Sequence, residues 1–264
     1  MSPPRGPVSA THRLTSISFS HYCEVARFAL TRAGVPFRES RYLPFFHMVP
    51  AALALRGVPA RADKTSSARS TPILRCPDGR VVNNSVEILR YALPDLFGSE
   101  QVEADLQYLH DKVGPHTRRL AYGALLGDPA VLGELARRTV DPLQAAAFRA
   151  ALPVVGGQLK KVFGIDAGGL QRSESVVREA ADWADERLAR HPFLSGDTLQ
   201  ATDLYFACML APAAVIGEHE GYGVWLPALE DTPPEYAANA RALRERPAGR
   251  HALRMFREER APRP

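Results

Sequence analysis

The sequence predicts an α/β domain followed by an all-α domain. Residues 12–96 alternate short β-type runs with helical runs, whereas from Ser99 onward the apolar spacing is almost entirely helical. The chain has 264 residues, and 45% of them are apolar, which is enough to bury a core in each part. We therefore expect domains at 12–96 and 99–260, divided near Pro94–Ser99, with residues 1–11 as a disordered tail.

The first domain begins with the order β-α-β. Leu14–Phe19 is predicted to be a strand because its apolar side chains alternate. Tyr22–Ala33 keeps the apolar spacing of a helix, and Gly34 suits the left-handed position that follows a helix. Phe37–Leu43 is predicted to be the second strand.

A long connection follows at residues 44–69, and loops of that length usually contain a helix or a functional segment. We predict a short helix at Met48–Arg56, since Pro50 is tolerated in the first turn of a helix.

A hairpin and a helix complete this domain. Thr71–Cys76 and Arg80–Asn83 are predicted to pair as strands, because Pro77–Gly79 is a typical turn sequence. Ser85 is then expected to cap a helix that continues to Tyr91.

The second domain is predicted from helical stripes and their start signals. Ser99 precedes the first stripe, Gly114-Pro115 is expected to kink or end that helix, and Asp141-Pro142 is a cap followed by a favoured first residue. Further helices are expected at Val177–Leu188, at Leu204–Ala211, which is apolar nearly all round, at Tyr236–Glu245 and at Ala248–Arg257.

Composition argues against several classes of function. The net charge is +4, but the basic residues are dispersed and only four are lysines, so we expect no nucleic-acid partner. No run of eighteen apolar residues indicates a membrane span. Three widely spaced cysteines (Cys23, Cys76 and Cys208) and scattered histidines predict neither a disulfide framework nor a metal site, which is typical of the reducing cytoplasm.

Three segments together resemble one known family: FSHYCEVARFALTRAGVPF at 19–37, STPILRCPDGRVVNNSVEILRYAL at 70–93 and FLSGDTLQATDL at 193–204. They are similar to the glutathione S-transferases, in particular to bacterial members with an S-x-[FY]-C-x-x-A-R-x-A-L signature. The resemblance implies a thioredoxin-like N-terminal domain, an all-helical C-terminal domain and a homodimer. It also implies glutathione as co-substrate, without a metal, and attack of its thiolate on a small hydrophobic electrophile.

The resemblance places the catalytic position at Ser20. A helix N-terminus stabilises a thiolate through its dipole and free N–H groups, and a hydroxyl there adds a hydrogen bond. The alternative is that Ser20 only caps the helix. Cys23 is a rival: if exposed, it would make the protein a glutathione-dependent thiol-disulfide reductase, whereas a packed thiol is inert. A third possibility is a non-catalytic binding protein that keeps the fold.

The resemblance also implies the residues that contact glutathione, which are His21, Tyr22, His47, Thr71, Pro72, Asn84 and Ser85. Thr71-Pro72 matches the family's cis-proline, although most X-Pro bonds are trans. Asn84-Ser85 matches the pair that holds the γ-glutamyl group, or it is simply a turn with a helix cap.

His47 lies where family members often bind the glycine end of glutathione. Arg41 and Arg69 are alternatives for that role, and a plain surface histidine is the simplest explanation of His47. The electrophile pocket is expected between the domains, with the candidate residues Tyr108, His110, His116, Arg118 and Tyr122, unless these are merely solvated or packed.

The segment at 193–204 resembles the family's capping box before a central helix. Gln200 stands where a serine or threonine usually caps, and Asp203 keeps the acidic position. We therefore expect Asp203 to be structural.

Overall fold

The computed structural model describes residues 11–58 and 70–261. Four strands form one mixed sheet in the order β2-β1-β3-β4, in which β1 is parallel to β2 and antiparallel to β3, and β3 is antiparallel to β4. The strands are β1 (His12–Ile17), β2 (Phe37–Tyr42), β3 (Ile73–Arg75) and β4 (Val81–Asn83). All four strands were predicted, and the first begins two residues earlier than its apolar alternation indicated.

Three helices accompany this sheet: α1 (His21–Arg32), α2 (Met48–Ala54) and α3 (Ser85–Ala92). The helices α1 and α3 pack against each other, and Leu14, Leu30, Leu74 and Ile88 form a buried cluster between them and the sheet. The helix α2 confirms the one predicted in the long connection, and residues 59–69 of that connection lie outside the described residues. The predicted tail also lies outside them, except for residue 11.

Helices make up the remainder: α4 (Glu100–Tyr108), α5 (Gly114–Leu125), α6 (Pro129–Thr139), α7 (Pro142–Phe163), α8 (Ala167–Leu188), α9 (Ala201–Ala214), α10 (Pro234–Glu245) and α11 (Pro247–Arg254). As its composition predicted, α9 is buried along nearly its whole length. It packs against α1 as well as α4, α5, α10 and α11, so it joins the helical part to the sheet-containing part.

Two expectations need correction, and one helix was missed. Gly114-Pro115 does not end a helix, because a π-helical turn at Leu109–Val113 carries α4 directly into α5, with the proline in its first turn. The cap of α3 is Asn84 and not Ser85, since the Asn84 side chain accepts from the backbone N–H of Val86 at 2.8 Å. The helix α6 was not predicted.

The capping box before α9 has the structural role expected of Asp203. This carboxylate is fully buried, and its oxygens accept from the backbone N–H groups of Leu194 (2.7 Å) and Gln200 (2.9 Å). The His251 ring lies 2.9 Å from the same carboxylate. No helix among the described residues is long and apolar enough to cross a membrane.

Candidate active site

The loop between β1 and α1 presents Ser20 at the start of a helix. Its backbone is extended (φ −73°, ψ 125°), as the residue before a helix usually is, but its hydroxyl makes no capping hydrogen bond. The side chain is half-buried and lines a cavity. The hydroxyl is therefore not used to cap the helix; it lies within hydrogen-bonding reach of the Cys23 thiol, at the edge of the cavity.

A buried arginine holds that loop in place. Arg27 donates to the carbonyl oxygens of Ser18 (2.5 Å) and Ile17 (3.2 Å), which immediately precede the site. Its charge is balanced by Glu24 at 3.0 Å and Glu39 at 2.7 Å. Burial lowers the pKa of the guanidinium, but the two carboxylates outweigh burial and leave the pKa above its ordinary value. The ion cluster therefore fixes the backbone that carries Ser20.

The cavity beside Ser20 has a volume of about 130 Å³ and opens to solvent. Its walls come from the start of α1, from α5, and from the segment around residues 222–236. Most of the lining is aromatic or aliphatic, and it includes Phe163, Tyr222 and Tyr236. A largely apolar cleft with a few converging polar groups is the usual form of a small-molecule site.

His21 is one of the polar groups that line the cavity. It is only 3% exposed, and burial, followed by the charge of Arg118, lowers its pKa to about 3. A hydrogen bond with the backbone of Gly114 opposes this shift. The Nε2 atom is buried and has no hydrogen-bond partner among the described residues. The ring is therefore neutral at physiological pH, with one nitrogen left for a ligand or water.

Arg118 and Tyr122, two of the residues expected in an electrophile pocket, both line this cavity on the side of α5. The Arg118 guanidinium carbon is 4.5 Å from the Phe163 ring centroid and 5.9 Å from that of Tyr22. Its Nε is buried without a hydrogen-bond partner in the described part of the chain. Burial raises the pKa of Tyr122, so its phenol stays protonated and able to donate.

The other candidates on this helical region do not line the cavity. Tyr108 packs on Trp183, with the ring centroids 5.6 Å apart, and the His116 ring nitrogen is 3.0 Å from the Ser173 hydroxyl. Successive residues of an α-helix are about 100° apart, so positions 118 and 122 share a face that 116 does not. His110 is buried elsewhere, in a hydrogen-bonded chain.

That chain links the start of α3 to the helical part. The Ser85 hydroxyl is 2.8 Å from the Tyr205 hydroxyl, which is 2.6 Å from Nδ1 of His110. Tyr22 donates to the backbone carbonyl of His110 at 2.9 Å. Both Ser85 and Tyr22 are therefore directed into the protein, and Asn84 caps α3 next to them.

Thr71-Pro72 is a cis peptide, as the resemblance implied. The Thr71 hydroxyl accepts from the Cys23 thiol at 3.5 Å. Cys23 is fully buried, and burial raises its pKa more than the neighbouring Arg27 charge and the hydrogen bonds of Thr71 and Ser20 lower it. A buried, protonated thiol is a poor nucleophile. Cys23 therefore brings the loop and the cis-proline segment together, and its environment disfavours a reductase mechanism.

The residues proposed for the glycine end of glutathione are not part of the cavity lining. His47 precedes α2, is half-buried, and has a pKa lowered by that burial. Arg41 is paired with Glu39 at 2.8 Å, and residue 69 lies outside the described residues. No group of three His, Cys, Asp or Glu residues in the described ranges is placed to hold a metal ion.

Some site residues were missed at the sequence level. Phe163, Tyr222 and Tyr236 reach the cavity from distant segments, and no local motif indicated them. Arg27 is different, since it is the arginine of the A-R-x-A-L signature and its position one turn after Cys23 could have suggested contact with the loop.

Comparison with known families gives the class of this protein. Residues 19–92 match the model of the glutathione S-transferase N-terminal domain, and residues 167–246 match that of the C-terminal domain. The two matches span more than half of the chain, in the order that the fold requires. The chain therefore belongs to the glutathione S-transferase family.

Solved structures agree on the fold. Glutathione transferase GSTFuA2 of Phanerochaete chrysosporium is 18% identical with a TM-score of 0.61, covering 97% of this chain and 100% of its own. GSTFuA3 of the same fungus is 14% identical with a TM-score of 0.58, covering 94% and 95%. A glutathione S-transferase-I bound with lactoylglutathione is 16% identical with a TM-score of 0.50, covering 92% and 99%. A comparison with curated protein sequences found no significant match.

Proposed function

We propose that this protein is a glutathione-dependent transferase in which the Ser20 hydroxyl stabilises the glutathione thiolate. The observation that carries the proposal is that this hydroxyl is at the N-terminus of α1, is not used to cap the helix, and lines a mostly apolar cavity. A thiolate bound there would also be stabilised by the helix dipole, equivalent to about half a positive charge. The cavity then holds the electrophile that the sulfur attacks.

The thiol loses its proton to solvent in this scheme. His21 lies closest along the chain, but a group with a pKa of about 3 is a weak base at neutral pH. Its neutral ring instead accepts a hydrogen bond. The family-derived contacts at Thr71, Pro72, Asn84 and Ser85 remain part of the proposal. For Ser85 the contact would come through the backbone, because its hydroxyl already meets Tyr205.

Ser20→Ala tests the proposed role of the Ser20 hydroxyl. We expect kcat/KM for glutathione transfer to fall by about 10²-fold, because the variant loses one aligned hydrogen-bond donor to the negatively charged sulfur. The pKa of the bound thiol, followed by ultraviolet thiolate absorbance, should rise in the same variant. Ser20→Thr keeps a hydroxyl and should retain most of the activity; equal loss in both variants would contradict a hydrogen-bonding role.

Cys23→Ser separates the transferase from the reductase. The transferase proposal expects Cys23→Ser to keep its activity, provided that the smaller polar group is accommodated beside Thr71. Reduction of hydroxyethyl disulfide that disappears in Cys23→Ser and survives in Ser20→Ala would instead favour the reductase.

Calorimetry with reduced glutathione addresses the non-catalytic alternative. Binding in the micromolar to millimolar range is expected for a co-substrate. A folded protein that binds no glutathione up to about 10 mM would leave either another thiol or a binding protein.

The proposal includes a homodimer in a reducing cytoplasm, where the enzyme would act in detoxification. Cys23, Cys76 and Cys208 are all free and buried, which suits that compartment. Sedimentation at micromolar concentration tests the dimer directly.

A further inference from the structure

The cavity contains a cation that the protein does not neutralise. Among the described residues no ion pair of Arg118 is found, and its Nε is buried without a hydrogen-bond partner. Its guanidinium instead faces the Phe163 and Tyr22 rings. The neighbouring Arg119, in contrast, donates to the Phe163 carbonyl (2.6 Å) and to the Ser173 hydroxyl (2.9 Å).

The other charges that line the cavity lie at its mouth. Asp128 and Asp231 are exposed and also line a separate surface groove, so solvent screens them. Asp128 is further engaged at the start of α6, where it accepts from the backbone N–H of Ala130 at 2.9 Å. His21 is neutral. Arg118 is half-buried among apolar side chains and is therefore less exposed to solvent than these two carboxylates.

A second unpartnered nitrogen faces the same space. The Nε2 atom of His21 is buried without a partner in the described ranges, and the Arg118 charge is close enough to lower the pKa of this ring. Buried polar groups are nearly always hydrogen-bonded in folded proteins. Two such atoms around one cavity indicate that a polar ligand group, and not only an apolar one, completes this site.

We propose that the electrophile bound here carries an anionic group, a carboxylate in the simplest case, held by Arg118 on an otherwise apolar body. This inference rests on the proposed transferase function and narrows its substrate class. A guanidinium binds a carboxylate through two parallel hydrogen bonds, and the apolar surroundings strengthen the interaction. The aromatic walls then receive the rest of the molecule.

The test uses 4-chloro-3-nitrobenzoate and its methyl ester, which differ by the charge. In either case a carbon–sulfur bond forms at the ring carbon, the carbon–chlorine bond breaks, chloride leaves with the electron pair, and the thiol proton goes to solvent. We expect Arg118→Gln to reduce the ratio of kcat/KM for the acid over the ester by about tenfold to a hundredfold. Intrinsic reactivity cancels in this comparison.

Lys112→Gln is the matched control. It removes the same charge from an exposed position nearby, where Lys112 pairs with Glu179 at 3.1 Å, and it does not line the cavity. The acid-to-ester ratio should stay within about twofold of that of the native protein, since exposed charges are screened. An equal fall in both variants would overturn the proposal in favour of long-range steering.

Calorimetry without glutathione keeps this inference separate from the proposed function. The acid should bind more weakly to Arg118→Gln than to the native protein, and the ester equally to both. If no transfer is detected but this difference in binding is found, the transferase proposal fails and the anion site stands. If the acid binds both proteins equally, Arg118 does not contact the carboxylate and the proposal of an anion site is wrong.

The carboxylates of glutathione are the other possible source of an anion. If Arg118 holds one of them, Arg118→Gln should raise the KM for glutathione and leave the acid-to-ester ratio unchanged. That pattern would overturn the assignment to the electrophile.

Discussion

The polar side chains at the N-termini of α1 and α3 differ in whether they are hydrogen-bonded within the protein. At α3, Asn84 caps the helix and the Ser85 hydroxyl meets Tyr205, so the polar groups are engaged within the protein. At α1, the Ser20 hydroxyl does not cap, and Nε2 of His21 lacks a partner among the described residues. A group already satisfied by the fold contributes to stability, whereas a group left open can contribute to binding.

Mutations can test this difference between polar groups that are engaged within the protein and polar groups that are left open. Changes to engaged groups should reduce the free energy of unfolding, and changes to open groups should alter ligand binding or pH dependence with little loss of stability at neutral pH.

Arg27→Met should give the largest loss of stability. It removes the buried cation shared by Glu24 and Glu39, and it releases the loop before Ser20. The two carboxylates keep only the partly exposed partners Arg260 and Arg41. Removing one partner of a buried ion pair costs about 3–5 kcal/mol. Urea unfolding measures the change. The double replacement of Arg27 by Met and Glu39 by Gln removes part of the uncompensated charge, and a double variant no more stable than Arg27→Met would contradict this explanation.

Tyr205→Phe should cost about 1–3 kcal/mol, because the Ser85 hydroxyl and the His110 ring would both lose a buried partner. The neighbouring Phe206 lies on the same buried helix without such a chain, so Phe206→Leu provides a control for packing loss alone. Thermal unfolding compares the two. If glutathione binding failed in Tyr205→Phe while the free energy of unfolding did not change, the chain would belong to the ligand site instead.

His21→Asn should change how stability depends on pH. The folded pKa of about 3 lies below the unfolded value of 6.5, so the unfolded chain takes up a proton first as the pH falls. The native protein should therefore lose about 1.4 kcal/mol more per pH unit than the variant between about pH 6.5 and pH 3, and the two slopes should agree above about pH 6.5. Urea titrations across this range measure it; parallel curves would show that the imidazole is not buried and neutral.

Arg118→Gln should have the smallest effect on stability, less than about 1 kcal/mol, because the guanidinium contributes mainly its contact with the Phe163 ring. A loss as large as that in Arg27→Met would mean that Arg118 is structural, and the contrast between engaged and open groups would fail at this position.

Much of the fold could be predicted from local patterns. The helix α9 was found because it is apolar all round, and α7 because Asp141-Pro142 combines a cap with a favoured first residue. Asp128-Pro129 is also a capping residue followed by a proline in the first helical position, so the same rule could have predicted α6.

The candidate site was harder to predict from the sequence than the fold. The direction of the Ser85 hydroxyl depends on Tyr205, which is 120 residues away, and no periodicity encodes such a contact. The choice between Arg118 and His116 was different, because helical geometry alone separates their faces once α5 is known to be continuous through both positions.

The π-helical turn at Leu109–Val113 has a consequence for the phase of the helix that follows. A turn of this kind places one more residue in the helix, which rotates everything after it by about 100° relative to an uninterrupted helix. Without it, the face of α5 that now carries residues 118 and 122 would be turned away from α1. The extra residue is thus taken up within the π-helical turn, so a single-residue deletion there would restore an α-helical turn and leave residues 118 and 122 on the wall of the cavity.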